Sequence, residues 1–179
     1  MRVIAGELGG RPLLAPRGWK VRPTSERVRE AIFSALGERV AGAVVLDLYA
    51  GTGALAIEAL SRGAAGATLV DRDTRPALGN VANLGLEQRA MLVRADAARW
   101  LAAAEPGPGF DLIFVDAPYR LAGRMTQELN THLPRLLVPG GRAVIESGAG
   151  SPLRVETLPR LRQRRYGAAD VSFYGEVDG

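Results

Sequence analysis

Cysteine is absent from the 179 residues, so disulfides, thiolate-held metals and covalent cysteine catalysis are all excluded. Histidine occurs once, as His132, within a helix-like stretch where it reads as a packing or surface residue rather than a base. No metal site is expected. Aromatic residues make up only 6%, and the two tryptophans, Trp19 on the N-terminal arm and Trp100 in a helix-like segment, point to no function. No uninterrupted apolar run approaches the roughly 20 residues of a membrane-spanning helix. The first ten residues lack a signal-like apolar region. A soluble, cytoplasmic, monomeric protein is therefore expected, and the length suits one domain with ample apolar residues for its core.

Charge is modest in total, +4, but unevenly placed. The first thirty residues carry Arg2, Arg11, Arg17, Lys20, Arg22, Arg27 and Arg29 against three glutamates, and the stretch 154–165 carries Arg154, Arg160, Arg162, Arg164 and Arg165 against Glu156. Two basic ends flank a mildly acidic middle. That distribution suits a polyanion gripped by the termini.

Between residues 43 and 147, short β-prone runs alternate with helix-like stretches, the pattern of βαβ units around a parallel sheet. The runs are AVVLDL (43–48), ATLVD (67–71), AMLVRAD (90–96), FDLIFVD (110–116) and RAVIES (142–147), with PGPG (106–109) and PGG (139–141) reading as loops. Before them, residues 24–37 place Val28, Ala31, Ile32, Ala35 and Leu36 on one face of an amphipathic helix preceded by an extended arm. After residue 150, two further strand-like segments suggest an antiparallel hairpin at the sheet edge. The predicted fold is α/β and Rossmann-like: a mostly parallel central sheet with helices on both faces and an antiparallel C-terminal hairpin. Within the single domain, 1–37 form the arm and helix, 43–147 the core and 151–179 the C-terminal strands.

The stretch LDLYAGTGALAIEAL (46–60) reads as strand, glycine turn and helix. Gly51 and Gly53 let the backbone turn tightly against a ligand, and the N–H groups at a helix start favour polar or anionic groups. Asp71 lies at the end of the second strand, where an acid can hold ribose hydroxyls. Asp47 is unusual for a dinucleotide site. An acid there can meet the ammonium of an amino-acid-bearing cofactor, and S-adenosylmethionine carries an ammonium, a ribose and an adenine. Asp47 is assigned to the methionine end, Asp71 to the ribose, and Asp96 with the backbone of Ala97 to the adenine edge. The competing role for a strand-end aspartate is to cap the next helix.

The fourth run delivers Asp116, followed by Ala117, Pro118 and Tyr119, to the same sheet edge. The lone pair of an exocyclic base amine is delocalised into the ring. A carboxylate and a backbone carbonyl that both accept from the amine localise that pair and aim it at an electrophilic methyl. Asp116 and the carbonyl of Ala117 fit those roles, Pro118 stiffens the loop and Tyr119 offers a face on which an extruded base can stack.

With these segments in hand, the chain resembles the RsmD-type methyltransferases, which modify the exocyclic N2 of a guanine in small-subunit (16S) ribosomal RNA. The similarity covers nearly the whole length: RVIAGELGGRPLLAP (2–16), RPTSERVREAIFSAL (22–36), LDLYAGTGALAIEALSRGA (46–64), the DAPY loop and the terminal RRYG and FYG. The resemblance implies Thr24, Asp47, Tyr49, Gly51, Gly53, Asp71, Asp96 and Ala97 around the cofactor and Asp116 to Tyr119 around the guanine. It also implies in-line methyl transfer without a metal, with Asp116 or water taking the departing proton. Phosphate contacts are expected from Arg2, Arg11, Arg22, Arg27, Arg162, Arg164 and Arg165 on ribosomal RNA or the assembled small particle. Related enzymes carry two prolines in this loop. Ala117 replaces the first, at a cost of about 0.5 to 1 kcal/mol in loop ordering.

Three other readings stay open on the sequence. An N6-adenine DNA methyltransferase uses similar loops but normally adds a target-recognition domain. An NAD-dependent oxidoreductase would use the Gly51 turn but leaves Asp47 and DAPY without a role. A non-catalytic RNA-binding module would bind RNA without methyl incorporation.

Overall fold

The computed structural model describes residues 1–15, 24–105, 107–118, 122–149 and 153–176. Within them the apolar runs become parallel strands β1 (Val44–Leu48), β2 (Gly66–Asp71), β3 (Ala90–Arg94), β4 (Phe110–Asp116) and β5 (Leu137–Gly148). Near-continuous burial of β1, β2 and β4 matches strands covered on both faces. β6 (Arg160–Tyr166) and β7 (Ala169–Tyr174) form the antiparallel hairpin, with β7 inserted beside β5 and β6 left at the outer edge. The full order is β3-β2-β1-β4-β5-β7-β6. This is the Rossmann-like α/β arrangement expected from the sequence.

Helices α1 (Glu26–Leu36), α2 (Ala54–Ser61) and α3 (Arg75–Leu84) cover one face, and α4 (Ala97–Ala103) and α5 (Ala122–Leu136) the other. Each start has a local cause. Ser25 caps α1 by accepting from Val28 N–H at 3.3 Å, Asp96 caps α4 through Arg99 N–H at 3.1 Å, and Pro76 sits in the first turn of α3. His132 lies in α5 between Glu128 (3.4 Å) and Arg135 (3.2 Å). No helix among the described residues is long and apolar enough to cross a membrane.

Two expectations are corrected. Residues 139–141 are not a loop between elements but part of β5, where the register slips between Phe110↔Leu137 and Leu112↔Arg142. Arg142 satisfies the irregularity by donating back to the carbonyls of Gly140 (2.7 Å) and Gly141 (3.0 Å). The buried face of α1 is Val28, Arg29, Ile32, Phe33 and Leu36, with Ala35 exposed and Ala31 half-buried. Phe33 packs on Phe114 of β4 at 5.6 Å between ring centroids, and Arg29 is buried because it meets Glu58 of α2.

The arm is fastened to the sheet's helical layer. Glu58 Oε2 accepts from Ile4 N–H (2.7 Å) and Oε1 from Ala5 N–H (3.1 Å), while Ser61 Oγ accepts from Leu8 N–H (3.0 Å) and donates to the Ala5 carbonyl (2.6 Å). At the arm's far end, Asn80 of α3 accepts from Leu14 N–H (2.8 Å) and donates to the Leu14 carbonyl (2.9 Å).

Candidate active site

The C-terminal ends of the parallel strands gather the acids named from the sequence. β1 leads into a turn in which Tyr49, Gly51 and Gly53 all hold positive φ, 63°, 56° and 78°. Tyr49 is the non-glycine residue of the described chain that does so, a conformation costing about 1 to 2 kcal/mol away from glycine. Its N–H donates to the Val70 carbonyl at 3.0 Å and its half-buried ring packs on the α4–α5 core. At Gly53 a Cβ would stand 2.9 Å from Leu69 Cδ2, so the turn presses directly on β2.

Three side chains brace this turn. Asp71, half-buried at the end of β2, accepts from Gly51 N–H at 2.9 Å with one oxygen and from Asp73 N–H at 2.9 Å with the other. Asn80 donates to the Thr52 carbonyl at 3.0 Å. Asp47 accepts from Ala56 N–H at 3.1 Å, satisfying one of the donors at the α2 start. Only 1% of Asp47 is exposed, and burial pushes its carboxyl up to about 8, reinforced by the nearby charges of Asp116 and Asp71. Asp47, expected at the methionine end of the cofactor, lies buried beneath the turn. Asp96 does what strand-end aspartates commonly do, capping α4, and it also pairs with Arg72, which draws its carboxyl below the ordinary carboxylate range. Ala97, the first residue of α4, is buried.

At the end of β4, Asp116 is followed by buried Ala117 and exposed Pro118; Tyr119 lies outside the described residues. Thr24, expected near the cofactor's methionine end, meets the carboxylates of two neighbouring strands. Its Oγ1 lies 2.7 Å from Asp116 Oδ2 and 3.0 Å from Glu146 Oε2. Glu146, the register partner of Asp116, was not singled out in the sequence. Its signal was available: an acid at the end of the fifth strand, as at the ends of the others. Burial raises the Asp116 carboxyl, and the Thr24 hydrogen bond opposes that shift.

The arginines divide. Arg2 is tied to Glu26 (3.3 Å), Arg11 donates to the Asn83 carbonyl (3.4 Å), and Arg165 pairs with buried Asp170 (3.0 Å). Arg27 and β6's Arg162 and Arg164 are exposed, and none of these three makes an ion pair among the described residues; Arg22 lies outside them. Arg162 and Arg164 stand opposite Phe173 and Val171, which belong to the α1–α3 core, so they share that face with Arg27; Arg165 stands opposite Asp170 on the other face. A cavity of about 470 Å³ lined by Trp100, Phe110 and Leu136 opens at the opposite, N-terminal edge of the strands and has no part in this cluster.

Residues 1–175 match a family described as conserved hypothetical protein 95. A Bacillus subtilis (strain 168) protein provisionally named as an rRNA methyltransferase, YlbH, is 38% identical over 185 aligned positions, covering 97% of this chain and 98% of the relative. The ribosomal RNA small subunit methyltransferase D of Escherichia coli (strain K12) is 39% identical over 132 positions, covering 73% of this chain and 65% of that protein. The solved structure of yhhF from Escherichia coli, provisionally named a methyltransferase, superposes with a TM-score of 0.82 at 34% identity, covering 97% of this chain and 96% of its own.

Proposed function

The chain belongs to the conserved hypothetical protein 95 family, and on that premise we propose that it transfers a methyl group from S-adenosylmethionine to small-subunit ribosomal RNA, at the exocyclic N2 of a guanine. The observation that carries the reading is the placement of Asp116 at the end of β4 and of Ala117 just after it, on the same sheet edge as the braced Tyr49–Gly53 turn. Ligands of open α/β sheets bind at that edge.

The residues present fit the cofactor. The turn and the remaining lone pairs of half-buried Asp71 would hold its amino-acid and ribose parts, and the Asp96–Ala97 corner its adenine. When bound, it supplies a methyl group already activated on a sulfonium. Asp116 Oδ1 and the Ala117 carbonyl would each accept one hydrogen of the guanine amine, fixing the nitrogen lone pair toward that methyl. The nitrogen would take the methyl as the sulfonium becomes a thioether, and the methylated amine would be acidic enough to release its proton to water. Pro118 confines Ala117 to extended conformations, which keeps its carbonyl in place. Tyr119 would stack on the extruded base. Arg27, Arg162 and Arg164 would contact phosphates.

The test is labelled-methyl transfer to small-subunit particles and to protein-free RNA from a strain lacking the gene, with the label mapped. Label on a guanine N2 is expected; its absence from both substrates refutes the reading. Asp116→Ala should lower transfer at least about 100-fold while cofactor affinity, measured by calorimetry, stays within a few-fold.

A further inference from the structure

Asn80 lies on the buried side of α3 with 1% of its surface exposed, and its amide is committed to two separate segments. Oδ1 accepts from Leu14 N–H at 2.8 Å and Nδ2 donates to the Leu14 carbonyl at 2.9 Å, the two-bond exchange that paired strand residues make. A carboxamide nitrogen has one further hydrogen. It goes to the Thr52 carbonyl at 3.0 Å, in the turn between β1 and α2. That bond fixes the peptide plane between Thr52 and Gly53, whose N–H donates to the Ala50 carbonyl at 2.7 Å. One side chain therefore joins the end of the arm to the turn, while Asp71 and Asp47 brace the same turn from the strand ends.

Resting on the methyltransferase reading above, we propose that Asn80 is a positioning residue through which the N-terminal arm sets the affinity for S-adenosylmethionine. With Leu14 in place, the amide is held at its oxygen and its nitrogen, and the remaining hydrogen is aimed at Thr52. With Leu14 displaced, the buried amide loses those partners and turns to replace them, which releases the Thr52 carbonyl. The turn then samples arrangements that do not fit the cofactor, and the apparent affinity falls by the fraction of chains still in the fitting one. Neither Leu14 nor Asn80 needs to touch the cofactor for this.

Leu14→Pro tests the coupling from the arm, since it removes the N–H that Asn80 accepts while the Leu14 side chain is itself exposed. Leu14→Ala keeps the N–H and serves as the control. In calorimetry with S-adenosylhomocysteine, Leu14→Pro should raise Kd about fivefold and Asn80→Ala at least about tenfold, with Leu14→Ala unchanged. Binding stoichiometry should match the wild type, and kcat at saturating cofactor should stay within a few-fold. A merely structural role would lower the stoichiometry and leave Kd as it was. Leu14→Pro should add no further loss to Asn80→Ala. Leu14→Pro matching Leu14→Ala, or costing as much without Asn80 as with it, overturns the proposal; should Asn80→Ala fail to fold, the two Leu14 variants decide alone. Amide exchange gives a readout without cofactor. The Gly51 and Gly53 N–H groups should exchange faster in Leu14→Pro than in Leu14→Ala, and equal rates overturn the coupling. A wild type that binds no S-adenosylhomocysteine would sink the methyltransferase reading, and the exchange rates would still decide whether the arm holds the turn.

Discussion

Replacing Glu58 with alanine should release the N-terminal arm and cost a large fraction of the stability, whereas replacing its buried partner Arg29 with methionine should cost little. Both side chains are fully buried, 3.5 Å apart. Glu58 has other commitments: Arg62 Nε at 2.7 Å and the N–H groups of Ile4 and Ala5. Arg29 has few. Its Nη2 donates to the Arg2 carbonyl at 2.7 Å, while Nε and Nη1 have no hydrogen-bond partner among the described residues, and burial pushes its guanidinium down from the usual value against the attraction of Glu58. Removing Glu58 therefore strands a buried cation, at about 3 to 5 kcal/mol, and frees two backbone donors. Removing Arg29 leaves Glu58 compensated by Arg62 and forfeits one hydrogen bond, about 1 kcal/mol. With a urea m-value of about 2 kcal/mol per molar, Glu58→Ala should lower the midpoint by roughly 2 M and Arg29→Met by about 0.5 M. Hydrogen exchange at Ile4 and Ala5 should accelerate only in the Glu58 variants. Equal midpoint losses for the two substitutions would refute the reasoning.

Asp47 has a folded-state pKa of about 8 against 3.8, so the folded chain binds the extra proton between those values and this group's contribution to stability falls as pH rises through that window. Asp47→Asn keeps an acceptor for Ala56 N–H and should gain on the wild type by on the order of 3 kcal/mol between pH 5 and pH 8, read from urea midpoints; parallel pH curves for the two proteins would contradict this. Neutralising Arg162 and Arg164 together should reduce the slope of log K against log salt for RNA binding by about 1.5, at roughly 0.7 to 0.9 per phosphate contact. Arg165→Ala should leave that slope unchanged, because Asp170 already holds Arg165. Gly6→Ala should undo the arm's seat on α2, since at φ 85° its Cβ would lie 1.8 Å from the Ser61 carbonyl oxygen; a cost above about 2 kcal/mol is expected, and a neutral effect in urea melts would show that the arm can shift aside.

The parallel strands and the glycine turn were legible because their signals are local: apolar runs of strand length, with turn residues at their ends. The residues misread depend on partners far along the chain. Arg29 looks like a surface residue until α2 brings Glu58 against it, and the expected apolar face of α1 slipped toward Ala35 for that reason. The burial of Asp47 is likewise not revealed by its position at a strand end. Arg162, Arg164 and Arg165 are alike in sequence, and only the pairing with β7 separates the two on the α1–α3 face from the one committed to Asp170.

The described part of the arm has structural ties of its own beside its charge. Its backbone is held by Glu58, Ser61 and Asn80, and its arginines at positions 2 and 11 are already engaged. Asn80 uses the same amide nitrogen for Leu14 at the arm's end and for Thr52 within the glycine turn, at 2.9 and 3.0 Å. With Asp47 below and Asp71 beside, side chains of the fold brace the turn that holds left-handed Tyr49. The described arm, residues 1–15, is thus tied through Asn80 to the same turn. Of the arginines expected on RNA that the structure describes, Arg27, Arg162 and Arg164 are exposed and make no ion pair among the described residues, and they lie on the face of the sheet that carries α1.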